Sequence, residues 1–177
     1  PLRIIVLGEV IQPGAYSISP ASSLSSSLYY FNGPSLSGSL RDIRLLRKGK
    51  VIGTIDFYDY LLSGNVPNDI RLQMDDVVYI PFRGKTVTIL GEVNRQGVYE
   101  LIDDEDLNAL IKIVGDLSTT AYTKRAQISR IVPDKDRLSI GMDRMLIDID
   151  LSDVLLNNRD VELQDGDIIQ IFPIREK

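Results

Sequence analysis

The chain has 177 residues, of which 44% are hydrophobic and 25% charged, the composition of an ordinary folded protein. It has no Cys, His or Trp, which excludes disulfides, thiolate and imidazole metal ligands, a cysteine nucleophile and a Ser-His-Asp triad. The net charge of −5 disfavours nucleic acid as a partner, because phosphate binding needs clustered Lys and Arg. The remaining functions are binding, scaffolding, or catalysis limited to carboxylate, Lys, Tyr or Ser groups.

The first predicted elements are the two strands of a hairpin. Residues 3–10 are rich in Ile and Val, which favours a strand. Gln12-Pro13-Gly14 predicts a turn, because Pro presets φ and Gly accepts a positive φ. Residues 15–18 are then the returning strand.

A helix follows the hairpin. Leu24, Leu28 and Phe31 are spaced as one face of a helix with 3.6 residues per turn. A serine at position 22 or 23 is a suitable N-cap, and Gly33 is a suitable residue just beyond the helix end. We therefore predict one main helix with one apolar face.

The next fifty residues predict three strands, a short helix and two turns. In chain order these are a strand over 43–47, a turn at 48–50, a strand over 51–55, a helix over 57–62, a turn at 74–76 and a strand over 77–80. A mixed sheet that carries its helix on one face is the natural arrangement for this α+β order.

The second half of the sequence repeats the first. Leu7-Gly8-Glu9-Val10 recurs 83 residues later as Leu90-Gly91-Glu92-Val93, and later matches show an insertion near 133–144. We predict two domains, 1–83 and 84–177, and expect the insertion to be an exposed hairpin extension. Turn or close-approach glycines are predicted at Gly8, Gly14, Gly33, Gly91, Gly97, Gly115 and Gly166.

Three features distinguish the second copy. The acidic run 103–106 precedes its helix, and we interpret it as complementing the helix dipole. Asp165-Gly166 is typical of a hairpin turn. The first copy has eight basic and seven acidic residues, whereas the second has twelve and eighteen, so head-to-tail contacts between chains are a hypothesis.

Each copy of the repeat has three recognisable features: the opening pattern, at residues 8–16 in the first copy, the glycine that ends the helix, and the closing segment, at 72–78 and 163–169. In these features the repeated unit resembles the SLBB module, the soluble-ligand-binding β-grasp domain of bacterial polysaccharide export proteins. The resemblance covers almost the whole chain twice. It departs from the family pattern at Gln96, which stands where the first copy has Pro13.

This resemblance implies two tandem ubiquitin-like β-grasp domains without catalytic activity. It further implies a periplasmic module of an outer-membrane exporter of capsule or exopolysaccharide. The implied partners are the polysaccharide, other copies of the full-length protein in a ring, and the inner-membrane export machinery. No cofactor is implied. The first residue is Pro1 rather than Met, so we expect a piece of a larger protein with no membrane span in this segment.

The tyrosines are the candidate saccharide contacts, because a phenol ring can stack on a sugar. Tyr29 and Tyr30 lie on the predicted helix beside its core face, and Tyr16 and Tyr99 lie on equivalent strands. The competing interpretation is a half-buried Tyr whose hydroxyl reaches water. The alternative function is a monomeric carbohydrate-binding module that recognises a soluble glycan.

A carboxylate enzyme is the third hypothesis. Asp148 and Asp150 share one face of a predicted strand and Asp153 is close, a pattern that can bind a cation or hydrolyse glycosides. Asp150 and Asp153 repeat Asp56 and Asp59 at the start of a short helix, so capping explains both pairs. We therefore assign no catalytic residue and no metal ligand.

Overall fold

The computed structural model describes residues 1–175, except for the side chain of residue 140. The chain folds as two compact units, one spanning Pro1–Gly84 and the other beginning at Lys85. Each unit contains a five-stranded mixed sheet and helices, so the predicted α+β class is confirmed.

The first unit has the strand order β2-β1-β5-β3-β4. Its elements are β1 (Leu2–Gly8), β2 (Gly14–Ile18), α1 (Leu24–Phe31), β3 (Ile43–Arg47), β4 (Lys50–Ile55), α2 (Phe57–Ser63) and β5 (Val77–Ile80). Strands β1 and β5 run parallel, and the other neighbouring pairs are antiparallel. This order is the predicted β-grasp arrangement.

The second unit repeats the topology as β7-β6-β10-β8-β9. Its elements are β6 (Lys85–Gly91), β7 (Gly97–Leu101), α3 (Leu107–Ile113), β8 (Ala121–Ile131), α4 (Asp134–Ile140), β9 (Arg144–Ile149), α5 (Leu151–Leu156) and β10 (Ile168–Pro173). Strands β6 and β10 are the parallel pair.

The core of the first unit lies between one face of its sheet and helix α1. The predicted helical stripe of Leu24, Leu28 and Phe31 is buried there. Alternate residues of β1, Ile4 and Val6, are fully buried beneath it. The alternation follows from the period of two in a strand, and it leaves the odd-numbered positions of β1 on the opposite face.

Most local signals act as predicted. Ser23 is the N-cap of α1, and its hydroxyl accepts a hydrogen bond from the Ser26 amide. Asp56 and Asp150 cap the short helices α2 and α5 by accepting from backbone N–H groups two residues further on. The capping interpretation of these carboxylates is therefore confirmed.

The glycines that end β1 and β6 are required for close approach. Gly8 and Gly91 have φ of +92° and +97°, and a Cβ on either would overlap the carbonyl oxygen of Ile80 or Ile171. The parallel neighbour strand passes directly over each glycine, so the predicted close approach of backbone is confirmed.

Two expectations about the second unit are wrong, and the first concerns its last turn. Asp165-Gly166 does not join hairpin strands, because the residues before it form no strand and β10 pairs in parallel with β6. The turn is held instead by Thr86, whose amide donates to the Asp165 carboxylate. A dipeptide turn signal cannot tell a hairpin from a turn that leads into a parallel crossover.

The acidic run also acts differently from the expectation. Asp106 is the N-cap residue of α3, but its side chain makes no capping hydrogen bond and the first turn holds no acidic residue. Its carboxylate accepts from the Leu163 amide and the Lys85 ammonium. The amide of Asn108, in the first turn of α3, is capped by Asp160, which lies 52 residues away in the chain.

The insertion lies in the connection between β8 and β9. These strands are antiparallel, and their pairing runs from Ala126 opposite Ile149 to Ile131 opposite Arg144. The connection contains helix α4, a feature that the expected hairpin extension did not include.

Candidate functional site

Tyr16 and Tyr99 occupy equivalent, partly buried positions in the two units. The Tyr16 hydroxyl donates to the Gln12 carbonyl at 2.5 Å, and the Tyr99 hydroxyl donates to the Arg95 carbonyl at 2.6 Å. The Tyr16 ring also packs on Phe31, with ring centroids 6.0 Å apart. Each hydroxyl thus links the turn of its hairpin to the second strand of the same hairpin.

Tyr30 contacts the end of β2. Its hydroxyl accepts from the Ser19 amide at 3.1 Å, and 43% of the residue is exposed. This backbone N–H and the Ser22 hydroxyl lower the pKa of Tyr30, because both stabilise the phenolate.

Tyr29 belongs to an exposed aromatic group that joins α1 to α2. It is 67% exposed, and the interaction of its hydroxyl with the neighbouring Tyr60 phenol raises the pKa of Tyr29. The Tyr60 ring lies 5.2 Å from that of Phe57, at an interplanar angle of 31°. We call Tyr29, Tyr60 and Phe57 the aromatic surface.

The aromatic surface continues into exposed aliphatic groups on α2. Leu61 and Leu62 are 58% and 47% exposed. Such a surface can bind a sugar in two ways. The C–H groups of the sugar pack on the aromatic rings and apolar side chains, and its hydroxyls form hydrogen bonds with the two phenols. Of these residues, only Tyr29 was predicted from the sequence, because Tyr60 and Phe57 lie on a different element.

The second unit does not repeat this surface. The repeat places Lys112 at the position of Tyr29, Val154 at that of Tyr60 and Leu151 at that of Phe57. Val154 and Leu151 are buried, so α5 contributes only to the core at these positions, where α2 has the exposed Tyr60 and the partly buried Phe57.

The candidate carboxylates do not share a site. Asp148 forms an ion pair with Arg125 at 3.2 Å, Asp150 caps α5, and Asp153 accepts from the Asn157 side-chain amide. Within residues 1–175, no group of three or more acidic side chains is arranged to hold a metal ion. Each of these carboxylates thus has a local structural role.

An ion pair that was not predicted from the sequence is built twice. Asp76 and Asp167 precede the last strand of each unit and are fully buried. Arg47 binds Asp76 through two nitrogens at 2.8 and 2.9 Å, and Arg130 binds Asp167 at 3.1 and 2.9 Å. The internal repeat matches Arg47 with Arg130 and Asp76 with Asp167, but nothing in the sequence indicates that the arginine and the aspartate of each unit pair.

The Glu of each opening motif is also held in the same way in both units. Glu9 accepts from the Ser37 hydroxyl at 2.7 Å. Glu92 accepts from Ser118 at 2.7 Å and from Thr120 at 2.6 Å, and these hydroxyls lower the pKa of Glu92. These residues fix the loop that follows the main helix.

None of the helices in the described part of the chain has both the length and the apolarity needed to cross a membrane.

Comparison with known proteins gives one family. The model of the SLBB domain matches the chain twice, over residues 3–55 and 86–143, which together exceed half of its length. The two matches fall one in each unit. No curated protein matches the chain.

Proposed function

Because this chain belongs to the SLBB domain family, a family of ligand-binding domains, we propose that it is a non-catalytic module of a polysaccharide exporter. The module contacts the saccharide and contributes to assembly of the exporter on the periplasmic side of the outer membrane. The observation that carries the proposal is the pair of family matches in tandem, together with an exposed aromatic surface on the first unit.

Binding rather than catalysis is supported by the local roles of the candidate carboxylates. Asp148 is engaged in an ion pair, and Asp150 is engaged as a helix cap. Glycoside hydrolysis needs two carboxyl groups that flank one glycosidic bond, about 5 to 9.5 Å apart.

The saccharide contact is assigned to the aromatic surface. Tyr29 is more exposed than Tyr30, at 67% against 43%, and Tyr16 and Tyr99 are partly buried. The Tyr60 phenol is close enough to raise the pKa of Tyr29, so the two hydroxyls lie near one another on this surface. Contacts of this kind are weak singly and become effective along a polymer with many equivalent residues.

The test is an amide NMR titration of the 177-residue chain with oligosaccharides of the exported polymer. We expect saturable shifts at Tyr29, Tyr60 and Phe57, and their loss in Tyr29→Ala. Lys112→Ala is the matched control, because Lys112 occupies the corresponding position of the second unit. Absence of shifts at millimolar sugar, or shifts that survive Tyr29→Ala unchanged, would exclude this surface as the contact.

The assembly role is tested on the full-length protein. A nearly neutral first unit and an acidic second unit favour contacts between unlike units of neighbouring chains. We expect the ring to weaken at high salt and when residues 103–106 are neutralised. An oligomeric state that sedimentation shows to be unchanged by both treatments would remove the charge argument.

The aromatic surface also favours the second candidate function, a monomeric carbohydrate-binding module. The two functions are separated by combining both measurements. A module of this kind binds sugar as a monomer even when its flanking domains are restored, whereas an exporter component self-associates.

A further inference from the structure

A groove lies on the second unit where β8 begins and β10 ends. Its volume is about 510 Å³, within the range of pockets that hold small ligands. The groove is lined by Tyr122, Arg125, Phe172, Pro173, Ile174 and Arg175. It is therefore bordered by two rings and by two guanidinium groups, in a unit whose overall charge is negative.

Strand pairing explains why these residues meet. Gln127 of β8 lies directly opposite Gln170 of β10 in an antiparallel register. Arg125 and Phe172 come directly after the pair of Ala126 with Ile171, where the register of the two strands shifts. Ala126 and Ile171 are buried, whereas Arg125 is exposed and stacks on the partly exposed ring of Phe172.

Arg125 is positioned by two contacts. Its guanidinium carbon lies 5.1 Å from the centre of the Phe172 ring, and its Nε donates to the Asp148 carboxylate at 3.2 Å. Its Nη atoms make no hydrogen bond to another residue of the described chain. The guanidinium is thus stacked and oriented, and its two terminal nitrogens can receive a ligand.

We propose that this groove binds a hexuronate residue of a saccharide chain, with the sugar carboxylate on Arg125. Two terminal N–H groups of a guanidinium match the two oxygens of a carboxylate in a bidentate pair. The sugar ring then lies against Tyr122, which is 39% exposed, and Arg175 adds a second positive charge. The inference rests on the proposed function, since the ligand is a saccharide, but it concerns a different surface and defines the sugar as acidic.

The first unit has the opposite chemistry at the corresponding positions. The repeat places Asp42 where the second unit has Arg125, and Pro81 where it has Phe172. Asp42 is paired with Arg44 at 2.7 Å. A carboxylate ligand would meet a carboxylate there, so acidic sugar binding is predicted for the second unit alone.

The experiment is an NMR titration of the 177-residue chain with trigalacturonate, and separately with maltotriose as a neutral trisaccharide. We expect trigalacturonate to give saturable shifts at Tyr122, Arg125 and Phe172, with affinity that falls as salt is raised. Maltotriose is expected to leave these residues unshifted.

Variants then test whether the sugar carboxylate binds Arg125. Arg125→Gln is expected to weaken trigalacturonate binding at least about tenfold, because it removes a charged bidentate contact. Lys124→Gln is the matched control: it removes an equal charge from the neighbouring exposed position, and it is expected to change affinity by less than about twofold. Phe172→Leu is a second variant, expected to weaken binding by removing the ring that supports the guanidinium.

Three outcomes would overturn the inference: no saturable shift with trigalacturonate at millimolar concentration, equal binding of maltotriose in the groove, or equal losses from Arg125→Gln and Lys124→Gln. None of them bears on the aromatic surface, which is tested separately by the shifts of Tyr29 and Tyr60 with oligosaccharides of the exported polymer. Failure of the groove is therefore distinguishable from failure of the proposed function.

Discussion

The two units of this chain share one skeleton but present different surfaces. Both have the same strand order, a close-approach glycine, a buried Asp paired with an Arg, and a Glu held by hydroxyls. These duplicated features all lie where backbone or buried charge leaves little freedom. The differences teach that the fold is maintained by a few strict positions, while the exposed positions are free to acquire separate functions.

The outer face of each sheet shows this freedom. In the first unit the paired positions of the central strands are Ile5 with Val77 and Leu7 with Tyr79. In the second unit the same positions hold Thr88 with Ile168 and Leu90 with Gln170. These positions are all apolar in the first unit. In the second unit they are half polar, and the groove is formed at one end of the sheet.

The largest effect on stability is expected from substitution of the close-approach glycines. Gly8→Ala and Gly91→Ala should each lower the free energy of unfolding of their own unit by about 4 kcal/mol, because the new Cβ overlaps a strand carbonyl at a positive φ. Denaturant unfolding measures both values. Equal losses would confirm that the two units share this constraint.

Gly49→Ala is the control for the glycine variants. Gly49 also has a positive φ, +78°, but a Cβ added to it would have no other atom within 4 Å. The substitution should cost about 1 kcal/mol, the strain alone. A loss at Gly8 no larger than that at Gly49 would show that the overlap is relieved without cost.

The second prediction concerns the buried ion pairs, and it distinguishes the two units by how exposed their arginines are. Asp76→Asn and Asp167→Asn should each cost about 2 to 3 kcal/mol, since each leaves an arginine without its anion. The cost should be larger for Asp167, because the Arg130 side chain is 14% exposed and that of Arg47 is 26% exposed. A more exposed cation recovers more of its hydration.

Asp75→Asn is the control for the ion pairs. It removes an ion pair of the same chemistry, with Arg3, in which both side chains are more than half exposed. The expected change in unfolding free energy is at most about 0.5 kcal/mol. If Asp76→Asn and Asp75→Asn cost the same, burial is not what makes the duplicated pair important.

Local sequence signals were sufficient for most of the fold. The period of 3.6 residues in α1, the N-cap Ser23 and the internal repeat predicted the elements and the α+β class, because each depends on residues close in the chain or on their duplication. Contacts between distant elements were not predictable in this way. Tyr29 and Tyr60 lie on different helices, and nothing in either local pattern indicates that they meet.

The same limit explains the groove and the acidic run. The groove joins residues near 122–125 to residues near 172–175, which only the pairing of β8 with β10 brings together. The acidic run was assigned to the helix beside it, whereas its last member, Asp106, binds Leu163. Charge near a helix start is a local signal, but the tertiary fold supplied a partner that competed for the carboxylate.

A smaller effect tests how the two main helices are capped. Asp69 accepts from the Ser25 amide in α1, and Asp160 accepts from the Asn108 amide in α3, both at 3.0 Å. Helix α1 also has a capping hydroxyl from Ser23, whereas the N-cap of α3 gives none. Asp160→Ala should therefore cost about 1 kcal/mol and Asp69→Ala about 0.5 kcal/mol. Equal costs, measured by thermal unfolding, would show that the Ser23 cap does not compensate.

The smallest effect concerns the titration of Glu92. The hydroxyls of Thr120 and Ser118 lower the pKa of this carboxyl, so its hydrogen bonds stabilise the folded unit above the pKa of the unfolded chain. That contribution is lost as the pH falls through the lower, folded value. Thr120→Val should raise the pKa of Glu92, measured by carbon NMR of the carboxyl, because it leaves one hydroxyl donor, the arrangement that Glu9 has with Ser37.

Ser139→Ala is the control for this titration, because it removes a hydroxyl from α4 that bonds to the Asp136 carbonyl, and it should leave the pKa of Glu92 unchanged. A titration of Glu92 that is the same in Thr120→Val would contradict the assignment. The second hydroxyl would then be a difference between the units that has no electrostatic effect on Glu92.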